Sequence, residues 1–391
     1  PMATSYTVAD GFLLAIAAGG LLKTVSSFLV SDQAAVEIVT TRTLDWFDSL
    51  DVRGTMTVAY DKTGNTCTKP QVAASTTQTC GEFLTVSLTD LVVSGSLSLT
   101  GFTLPATTSP AIQEEVVMPL ILDVSRVIEV ASDGELTVIG QSEKIAAVLR
   151  ASVLKTSGKI AGDALKIEAT SIEIRATGSI NADGNGFPGI VTTLNTRGQA
   201  ELYQGNGPGG GYGYKEYQGQ ENGIASGAGH GGVGGGWGNL HVLDFSAPHT
   251  GTGTPVVIVD GDVVETGATK RGRAYGDFRK PVRWGSSGGR AGTFSKTSSS
   301  GGGRIHVVAD SMTILGVISS NSQEPQKGLW TNRNGDQAAG GGAGGSIFLE
   351  VTTLIGTGTI QANGGEGYAK RQSHMARACG GGGGRGAVIT P

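Results

Sequence analysis

The sequence is poor in aromatic and charged residues and contains no long apolar run. Of its 391 residues, 6% are aromatic and 16% are charged, and the formal net charge is −4 at pH 7. Its apolar stretches fall short of the ~18 residues that a membrane-spanning helix needs, so no membrane span is predicted. Charge of either sign is too thinly spread to suggest a nucleic-acid-binding surface, so no nucleic-acid partner is predicted.

Cysteine is also scarce, and the positions of the three cysteines predict one local disulfide. Cys67 and Cys80 bracket a polar, turn-rich segment, and a bridge between them would contribute roughly 2–4 kcal/mol. The alternative is two free thiols. Cys379 is left over, either free or paired between subunits. No spacing of Cys and His resembles a zinc site, so neither a metal nor another cofactor is predicted.

Low charge, the predicted disulfide and many Ser and Thr residues favour an extracellular or cell-surface location, because disulfides persist in oxidising compartments. The sequence has no Asn-x-Ser/Thr glycosylation site, and Asn65-Thr66-Cys67 is the rare cysteine variant. Ser and Thr residues close to prolines, as in 104–111, are the predicted sites of O-linked glycans.

Glycine, in contrast, is abundant at 65 residues, and it marks a repeated segment. One copy, from Gly303, has the sequence GRIHVVADSMTILGVISSN, and another, from Gly345, has the sequence GSIFLEVTTLIGTGTIQANGG. Such a unit cannot bury its own apolar face, so it must stack on a neighbour. Degraded copies give about seven units in total, beyond the three or so that a stacked repeat needs; they begin near Ala35, Gly81, Met118, Lys144 and Gly162.

Within the copies, apolar residues alternate with polar ones, which is typical of β-strands. The separation of Ile305 from Ile318 equals that of Ile347 from Ile360, so these pairs are expected at equivalent positions of stacked turns. Glycines at the strand ends are expected to supply the positive φ of sharp corners. The predicted fold is all-β, a parallel β-helix (solenoid) with long ordered glycine-rich loop insertions. The alternative is a β-sandwich-like N-terminal half.

Composition divides the chain into three predicted regions. Residues 1–34 are an N-terminal apolar segment, residues 35–160 are β-rungs that carry the Cys67–Cys80 loop, and residues 161–391 are a glycine-rich β-helix with an insert at 205–302. Aromatic residues are interleaved with glycines in this insert, which favours an ordered layer over the solenoid rather than a flexible linker. Four aromatics form a predicted glycan contact as the alternative role: Tyr212, Tyr214, Tyr217 and Trp237.

The glycine-rich half resembles a known kind of module. His230 lies within GAGHGG, Tyr275-Gly276 precedes Pro281, and GSSGG and GGGRI follow. This order is similar to the glycine-rich β-helix modules of very large secreted proteins, found on bacterial surfaces and in protist and algal cell-surface proteins, including those related to flagellar hairs (mastigonemes). The resemblance covers roughly residue 162 to the C terminus and does not extend to the first 130 residues. It implies an extracellular structural or adhesive role and does not imply catalysis.

Residues of the kind that β-helix polysaccharide lyases and hydrolases use are present but dispersed. Outward positions carry Lys166, Glu168, Glu173 and Arg175 singly, and no acidic pair recurs in adjacent copies. Because such enzymes need converging carboxylates and a base, no catalytic residue is assigned. The segment 181–186 begins like a calcium loop but lacks the glutamate that completes one, so a tight Asn-Gly turn is predicted.

Apolar segments near both ends of the sequence predict an assembly contact. The segment 384–389 resembles the start of another rung, and we expect it to pair with the N-terminal apolar segment of a neighbouring subunit. A longer parent chain that supplies the next rung is the alternative. The residues predicted at this contact are Phe12, Leu13, Leu14, Ile16, Leu21, Leu22, Ala387, Val388 and Ile389.

These observations predict an extracellular structural protein, the subunit of a surface filament or fibre that assembles head to tail with copies of itself. Bound or covalent glycans are the other predicted partner. The alternative function is a glycan-binding surface adhesin, and a polysaccharide lyase or hydrolase is the least favoured one.

Overall fold

The structure is a computed structural model that describes most of the chain in separate stretches. These are residues 5–16, 25–40, 47–60, 84–100, 102–104, 116–118, 120–140, 143, 146–189, 205–211, 213–214, 224–235, 257–259, 262–264, 272–291, 298–324, 337–370, 377–378 and 385–389.

Two large parallel sheets build the fold, with strands numbered in chain order. The first sheet has 10 strands, in the spatial order β1 (Ser5–Val8), β3 (Val25–Val30), β5 (Phe47–Val52), β7 (Leu84–Val93), β11 (Leu120–Val130), β13 (Ala147–Thr156), β15 (Ala164–Ile174), β22 (Arg304–Ile314), β25 (Ser346–Gly356) and β29 (Arg385–Ile389). The second has 9 strands, in the order β2 (Leu13–Ile16), β4 (Ala35–Thr40), β6 (Thr55–Tyr60), β8 (Ser96–Thr100), β12 (Glu135–Ile139), β14 (Lys159–Gly162), β16 (Ser179–Asn181), β23 (Val317–Ser319) and β26 (Thr359–Gln361).

The remaining strands are short and lie in small sheets outside the solenoid ladders. An antiparallel pair joins β9 (Phe102–Leu104) to β10 (Val116–Met118), and another joins β19 (Val257–Val259) to β20 (Asp262–Val264). Two three-stranded sheets contain β17 (Gly213–Tyr214), β18 (Ile224–Ala225) and β28 (Arg377–Ala378), and β21 (Arg290–Ala291), β24 (Gln337–Ala339) and β27 (Tyr368–Lys370).

The chain alternates between the two large sheets, so one strand of each makes one turn of the coil, called a rung below. Neighbouring rungs stack in parallel and in register: Ile305 pairs with Ile347, and Ile318 pairs with Ile360. The predicted parallel β-helix and the equivalence of these isoleucines are therefore confirmed.

Each long strand of the first sheet bends in its middle, which closes the rung around one core. In β22 the buried residues are Ile305, Val307 and Ala309 before the bend and Met312 and Ile314 after it. The buried residues thus have odd numbers before the bend and even numbers after it. In an unbent strand every second residue would face the core throughout. The core is a column of mostly aliphatic side chains, and burial of each contributes roughly 1.5–3 kcal/mol.

The N-terminal half belongs to the same solenoid. Strands β1 to β8 pair only in parallel, with β3 between β1 and β5 and with β4 between β2 and β6. The alternative of a β-sandwich-like N-terminal half is therefore wrong, because a sandwich of that kind needs antiparallel pairing. Within the predicted apolar segment 1–34, the described residues form β1, β2, β3 and the turns that follow them.

The corner glycines are needed for a reason other than the predicted one. Gly95, Gly134, Gly158 and Gly316 stack above one another at the turn between the two sheets, and none has a positive φ. A Cβ on Gly95 would lie 2.1 Å from the carbonyl oxygen of Gly54 in the preceding rung, and the same clash recurs along the column. Each such carbonyl accepts a backbone hydrogen bond from the next rung, as from Glu135 to Gly95 at 2.8 Å. Close backbone stacking therefore requires glycine here.

Candidate functional site

A glycine-rich layer covers part of the solenoid. We define it as residues 205–211, 225–235, 285–289, 298–303 and 339–345, most of which are buried although few lie in strands. The predicted ordering of the insert holds for the parts of it that the structure describes, and the last segment comes from beyond the predicted insert. The layer is therefore assembled from stretches far apart in sequence.

Backbone hydrogen bonds between segments hold this layer together. The amide of Gly285 donates to the carbonyl of Gly302 at 2.8 Å. Three positions later, the amide of Gly288 donates to the carbonyl of Ser299 at 3.0 Å. A bond to the same neighbour at every third residue is the pattern of an extended helix with three residues per turn, the polyproline II form.

The segment 285–289 also forms hydrogen bonds to the segment 339–345, again at every third residue. The carbonyls of Ser286 and Gly289 accept hydrogen bonds from Ala343 at 2.9 Å and from Gly340 at 2.8 Å, respectively. Polyproline II chains have no internal hydrogen bonds. Bonds in several directions to surrounding segments therefore satisfy the backbone groups that burial would otherwise leave unpaired.

Only glycine fits many positions of this layer. A Cβ on Gly288 would lie 1.8 Å from the carbonyl oxygen of Gly340, and one on Gly340 would lie 1.8 Å from that of Ser226. Real Cβ atoms essentially never approach so closely, so the absence of a side chain sets the distance between segments. The glycine runs are thus a packing requirement of the layer.

His230, which belongs to the layer, contacts Tyr275, and both residues carry the family resemblance. Their rings lie 4.6 Å apart, and His230 Nδ1 hydrogen-bonds to the carbonyl of Gly344 at 2.7 Å. The Tyr275 hydroxyl donates to the carbonyl of Trp284 and accepts from the Ser286 hydroxyl. Burial raises the pKa of Tyr275 far above its usual value, so the phenol stays neutral and serves as a hydrogen-bonding anchor.

Charged side chains connect residues 282–283, which directly precede the layer segment 285–289, to the solenoid. Arg283 Nε forms an ion pair with Glu143 Oε1 at 2.8 Å, between the insert and the turn that precedes β13. Arg304, at the start of β22, donates to the carbonyl of Val282 at 2.9 Å. Burial lowers the pKa of Arg304, with Glu143 opposing that shift. A group of partly buried charges therefore fixes the chain just before the layer segment 285–289 to the core rungs.

A ladder of Asp and Asn side chains follows the second sheet. Asp183 Oδ1 accepts from the amide of Asn321 at 2.5 Å, and Asn321 Oδ1 accepts from the amide of Asn363 at 2.8 Å. Gly184 takes a left-handed φ of 68°, so a tight turn is present in the segment 181–186, but it lies at Asp183-Gly184 and not at the Asn-Gly pair 185–186. The other oxygen of Asp183 accepts from the Asn181 amide of its own rung and from the Ser319 hydroxyl of the next rung. The carboxylate therefore links two neighbouring rungs.

The outward face of the first sheet carries ion pairs that cross rungs. The sequence showed Lys166, Glu168, Glu173 and Arg175 as single charges, but Lys166 pairs with Glu168 and Arg175 with Glu173 within one rung, and the neighbouring rung adds Arg150 to Glu168. Glu168 accepts from Arg150 at 2.7 Å and from Lys166 at 2.5 Å, which lowers its pKa. These pairs are largely exposed and individually contribute little, about 0–1 kcal/mol.

His306 lies on the same outward face. Its Nε2 contacts Glu350 Oε1 at 2.5 Å, and its ring stacks on Phe348 with centroids 4.8 Å apart. Burial lowers the pKa of His306 and outweighs the opposing effect of Glu350. The arrangement joins β22 to β25 through a neutral imidazole that donates to a carboxylate.

Inward-facing apolar positions become exposed at both ends of the solenoid. At one end Ile360 is 41% exposed, whereas Ile318, which occupies the same position one rung earlier, is 0% exposed. At the other end Tyr6 is 45% exposed and stacks on Phe28, which is 1% exposed. Among the described residues, no strand pairs with the outer side of β26, β1 or β2.

The residues predicted at the assembly contact are placed as follows. Phe12 and Leu13 are exposed at 67% and 68%, and Leu14 and Ile16 are partly buried against the core. Leu21 and Leu22 lie outside the described residues. Ala387, Val388 and Ile389 lie in β29, which pairs in parallel with β25 as the start of a further rung. Tyr214, one of the four residues of the predicted glycan contact, lies in β17.

The other predicted residues fall where the structure does not describe them. Cys67, Cys80 and Cys379 lie outside the described stretches, as do Tyr212, Tyr217 and Trp237. The disulfide and the glycan contact thus remain predictions. Sequence reasoning missed the Asp183–Asn321–Asn363 ladder, whose only sequence signal is an Asp or Asn at the same distance after each short strand.

Within the described stretches, no helix has the length and hydropathy of a membrane span, and no cluster of three His, Cys, Asp or Glu side chains is arranged to hold a metal ion. Comparison with protein-family models, curated proteins and solved structures finds no match to this chain.

Proposed function

We propose that this protein is an extracellular structural protein, the subunit of a surface filament that assembles head to tail through its terminal β-strands. The observation that carries the proposal is the exposure of inward-facing apolar residues at both ends of the part of the solenoid that the structure describes. These side chains occupy core positions, and each is buried at the equivalent position one rung further in.

The two ends suit each other as a contact between different surfaces. One end presents the outer side of β1 and β2, and the other presents the outer side of β26. Parallel stacking of one on the other repeats the pairing that already joins every rung within the chain. A contact of this kind is heterologous, so it propagates into a filament unless the rotation closes a ring.

The extracellular part of the proposal rests on the predicted Cys67–Cys80 disulfide, the low charge and the Ser/Thr content. A rigid, regularly stacked rod fixed by core side chains and by the glycine-rich layer is suited to a load-bearing or spacing role. Glycans attached to surface Ser and Thr residues would face the solvent around such a filament.

Two charged substitutions test the assembly. Leu14→Glu blocks the β1–β2 end and Ile360→Glu blocks the β26 end, since each puts a carboxylate where the contact buries apolar surface. Each variant alone should be monomeric by light scattering and show no filaments by negative-stain microscopy. An equimolar mixture should give discrete dimers, because each variant retains one intact end.

The matched control is Thr359→Glu, which adds the same charge at an exposed outward neighbour of Ile360. It should keep the polymerisation of the unmodified chain. Filaments from Leu14→Glu or Ile360→Glu alone, or an unmodified chain that stays monomeric at high concentration, would contradict the proposal.

A further inference from the structure

One loop of the insert carries an exposed aromatic ring beside two exposed basic side chains. We define residues 276–280 as the basic tip, since all of them are exposed. Within it, Phe278 is 62% exposed and is followed directly by Arg279 and Lys280. The surrounding stretch 272–283 has four basic residues and one acidic residue, although the whole chain has a formal net charge of −4. The tip is therefore a locally positive surface on a weakly acidic protein.

The basic tip is held at both of its ends. Before it, the Tyr275 amide donates to the carbonyl of His230 at 2.9 Å, and the two rings are in contact. After it, Pro281 is buried, and Arg283 Nε forms an ion pair with Glu143 Oε1 at 2.8 Å. Because the ends are fixed, binding at the tip would require little ordering of the backbone.

The basic tip also has a fixed internal geometry. Gly276 takes a left-handed φ of 86°. Asp277 Oδ1 accepts a hydrogen bond from the amide of Arg279 at 2.8 Å, which is a turn that Asp favours. The guanidinium carbon of Arg279 lies 5.0 Å from the centroid of the Phe278 ring. A cation at this distance is attracted to the ring, so the aromatic surface and the positive charge are presented together.

The cations of the basic tip lack the carboxylate partners that six cations of the rungs have. Within the part of the chain that the structure describes, neither Arg279 nor Lys280 forms an ion pair. Two unpaired cations beside an open ring are an arrangement that an anionic ligand would complete. The rung residues that pair with Asp or Glu are Arg53, Arg126, Arg150, Lys159, Lys166 and Arg175.

We infer that the basic tip binds an acidic polysaccharide. In this contact the Phe278 ring stacks on the C–H face of a sugar ring, and Arg279 and Lys280 pair with carboxylate or sulfate groups of the polymer. The planar guanidinium suits this role, because it can hydrogen-bond to two oxygens of one anionic group. The tip lies in the insert and not in the terminal strands, so its binding does not depend on assembly. The choice of a polysaccharide over a nucleic acid rests on the proposed extracellular location.

Binding of defined polymers to the unmodified chain tests the inference. We expect alginate, which carries carboxylates, and heparin, which carries sulfates, to bind at low ionic strength in biolayer interferometry. Their relative affinities show which anionic group is preferred. Dextran, which is neutral, should not bind. Because the tip is exposed, the affinity should fall steeply as salt approaches about 1 M, where the Debye length is about 3 Å.

Variants of the basic tip separate its charge from its ring. Arg279→Gln with Lys280→Gln should weaken binding of the preferred polymer about tenfold, because both ionic contacts are lost. Phe278→Leu keeps an apolar side chain but lacks a flat ring, so it should weaken binding about fivefold, whereas Phe278→Trp should retain it. These side chains are exposed, so the melting temperature should stay unchanged.

The matched control is Arg53→Gln with Lys159→Gln, which changes the net charge by the same amount at exposed positions of the rungs. Its affinity should equal that of the unmodified chain. No binding of either acidic polymer, or an equal loss of affinity in the control, would overturn the inference. Equal affinity for single-stranded DNA would overturn the assignment to a polysaccharide.

Negative-stain microscopy of the same samples separates this inference from the proposed function. Filaments that bind no acidic polymer would overturn the inference and leave head-to-tail assembly standing. A chain that binds the polymer through the basic tip but forms no filaments would support the inference and contradict the assembly.

Discussion

The N-terminal rungs and the glycine-rich layer exclude water by opposite means. Between β1 and β14 the core is filled by large side chains, such as Leu97 and Leu122, at 1% and 0% exposure. In the layer, Gly288 and Gly340 bring backbone against backbone with no space for a Cβ. One region depends on the volume of its side chains, and the other depends on their absence, so the two should respond oppositely to the loss or gain of a few carbon atoms.

Removing volume from the N-terminal core should have the largest effect. Leu122→Ala deletes a side chain packed between Val86 and Leu149 of the adjacent rungs, and it should cost about 2–5 kcal/mol of stability. Because repeats contact mainly their neighbours, hydrogen exchange should accelerate most in the strands on either side. Ile121→Ala, one position along and facing outward, is the matched control. An equal loss of thermal stability in both variants would contradict the core assignment.

Adding one carbon to the layer should come next, at about 1–3 kcal/mol or more. Gly288→Ala places a Cβ against the Gly340 carbonyl, so the segments that flank it must separate. Gly232→Ala is the control, because no atom lies within 4 Å of its Cβ position and its φ is not positive. Thermal unfolding of both variants, with hydrogen exchange in 285–289, measures the difference. Comparable losses would show that the layer can expand to accept side chains.

Asp163 lies at the boundary between the two regions, and its removal should cost about 1–3 kcal/mol. Its Oδ1 accepts from the amides of Gly140 at 2.8 Å and Ala164 at 2.7 Å, and the residue is buried. Asp163→Ala leaves both donors without this acceptor, whereas Asp163→Asn keeps an oxygen in place and should retain most of the stability. Equal destabilisation by the two variants, measured by thermal unfolding, would instead assign the role to the negative charge.

The smallest expected effect is a pH dependence carried by His306. Burial lowers its pKa in the folded state, so the unfolded chain binds the proton more readily. Stability should therefore fall on acidification, through the interval from the unfolded pKa of about 6.5 down to the lowered folded value. His306→Gln should flatten the dependence of melting temperature on pH in this interval.

Glu350→Gln provides the counterpart, because Glu350 acts to raise the pKa of His306. Its removal should lower that pKa further and steepen the loss of stability in acid. A flatter dependence in Glu350→Gln would contradict the assigned opposition between burial and the carboxylate.

The repeat could be predicted from sequence where its signals are strictly local. The alternation around Ile305 and Ile347 gave the strands, and their equal spacing gave the register that the structure confirms. The rungs of β1–β4 were harder to recognise, since Phe12 and Ala34 occupy the corner position that glycine occupies in later rungs. Without that glycine, the first rungs are short apolar stretches with no periodic marker.

The hydrogen-bond ladder and the outward ion pairs were harder to predict, because they join residues that are far apart in sequence and meet only when rungs stack. Asn321 and Asn363 were visible as residues that close each copy, but their hydrogen bonds depend on the stacking of rungs. In the same way, Glu168 and Arg150 read as isolated charges until neighbouring strands bring them to 2.7 Å. The requirement for glycine at the corners could not be predicted either. It comes from the close approach of one rung to the next, and the sequence of a single rung does not show which atoms of the next rung lie nearby.

The pairing of β15 with β22 also has a kinetic consequence. Ala164 pairs with Arg304, so the glycine-rich insert must be looped out before this junction forms, whereas the rungs from β7 to β15 join strands close in sequence. Closing a long loop slows a folding step more than it weakens the final state. During synthesis the first rungs emerge and can coil before the insert is complete. The exposed edge of β15 would then be formed before β22 is available. We expect the pairing of β22 with this edge to be the rate-limiting step of folding.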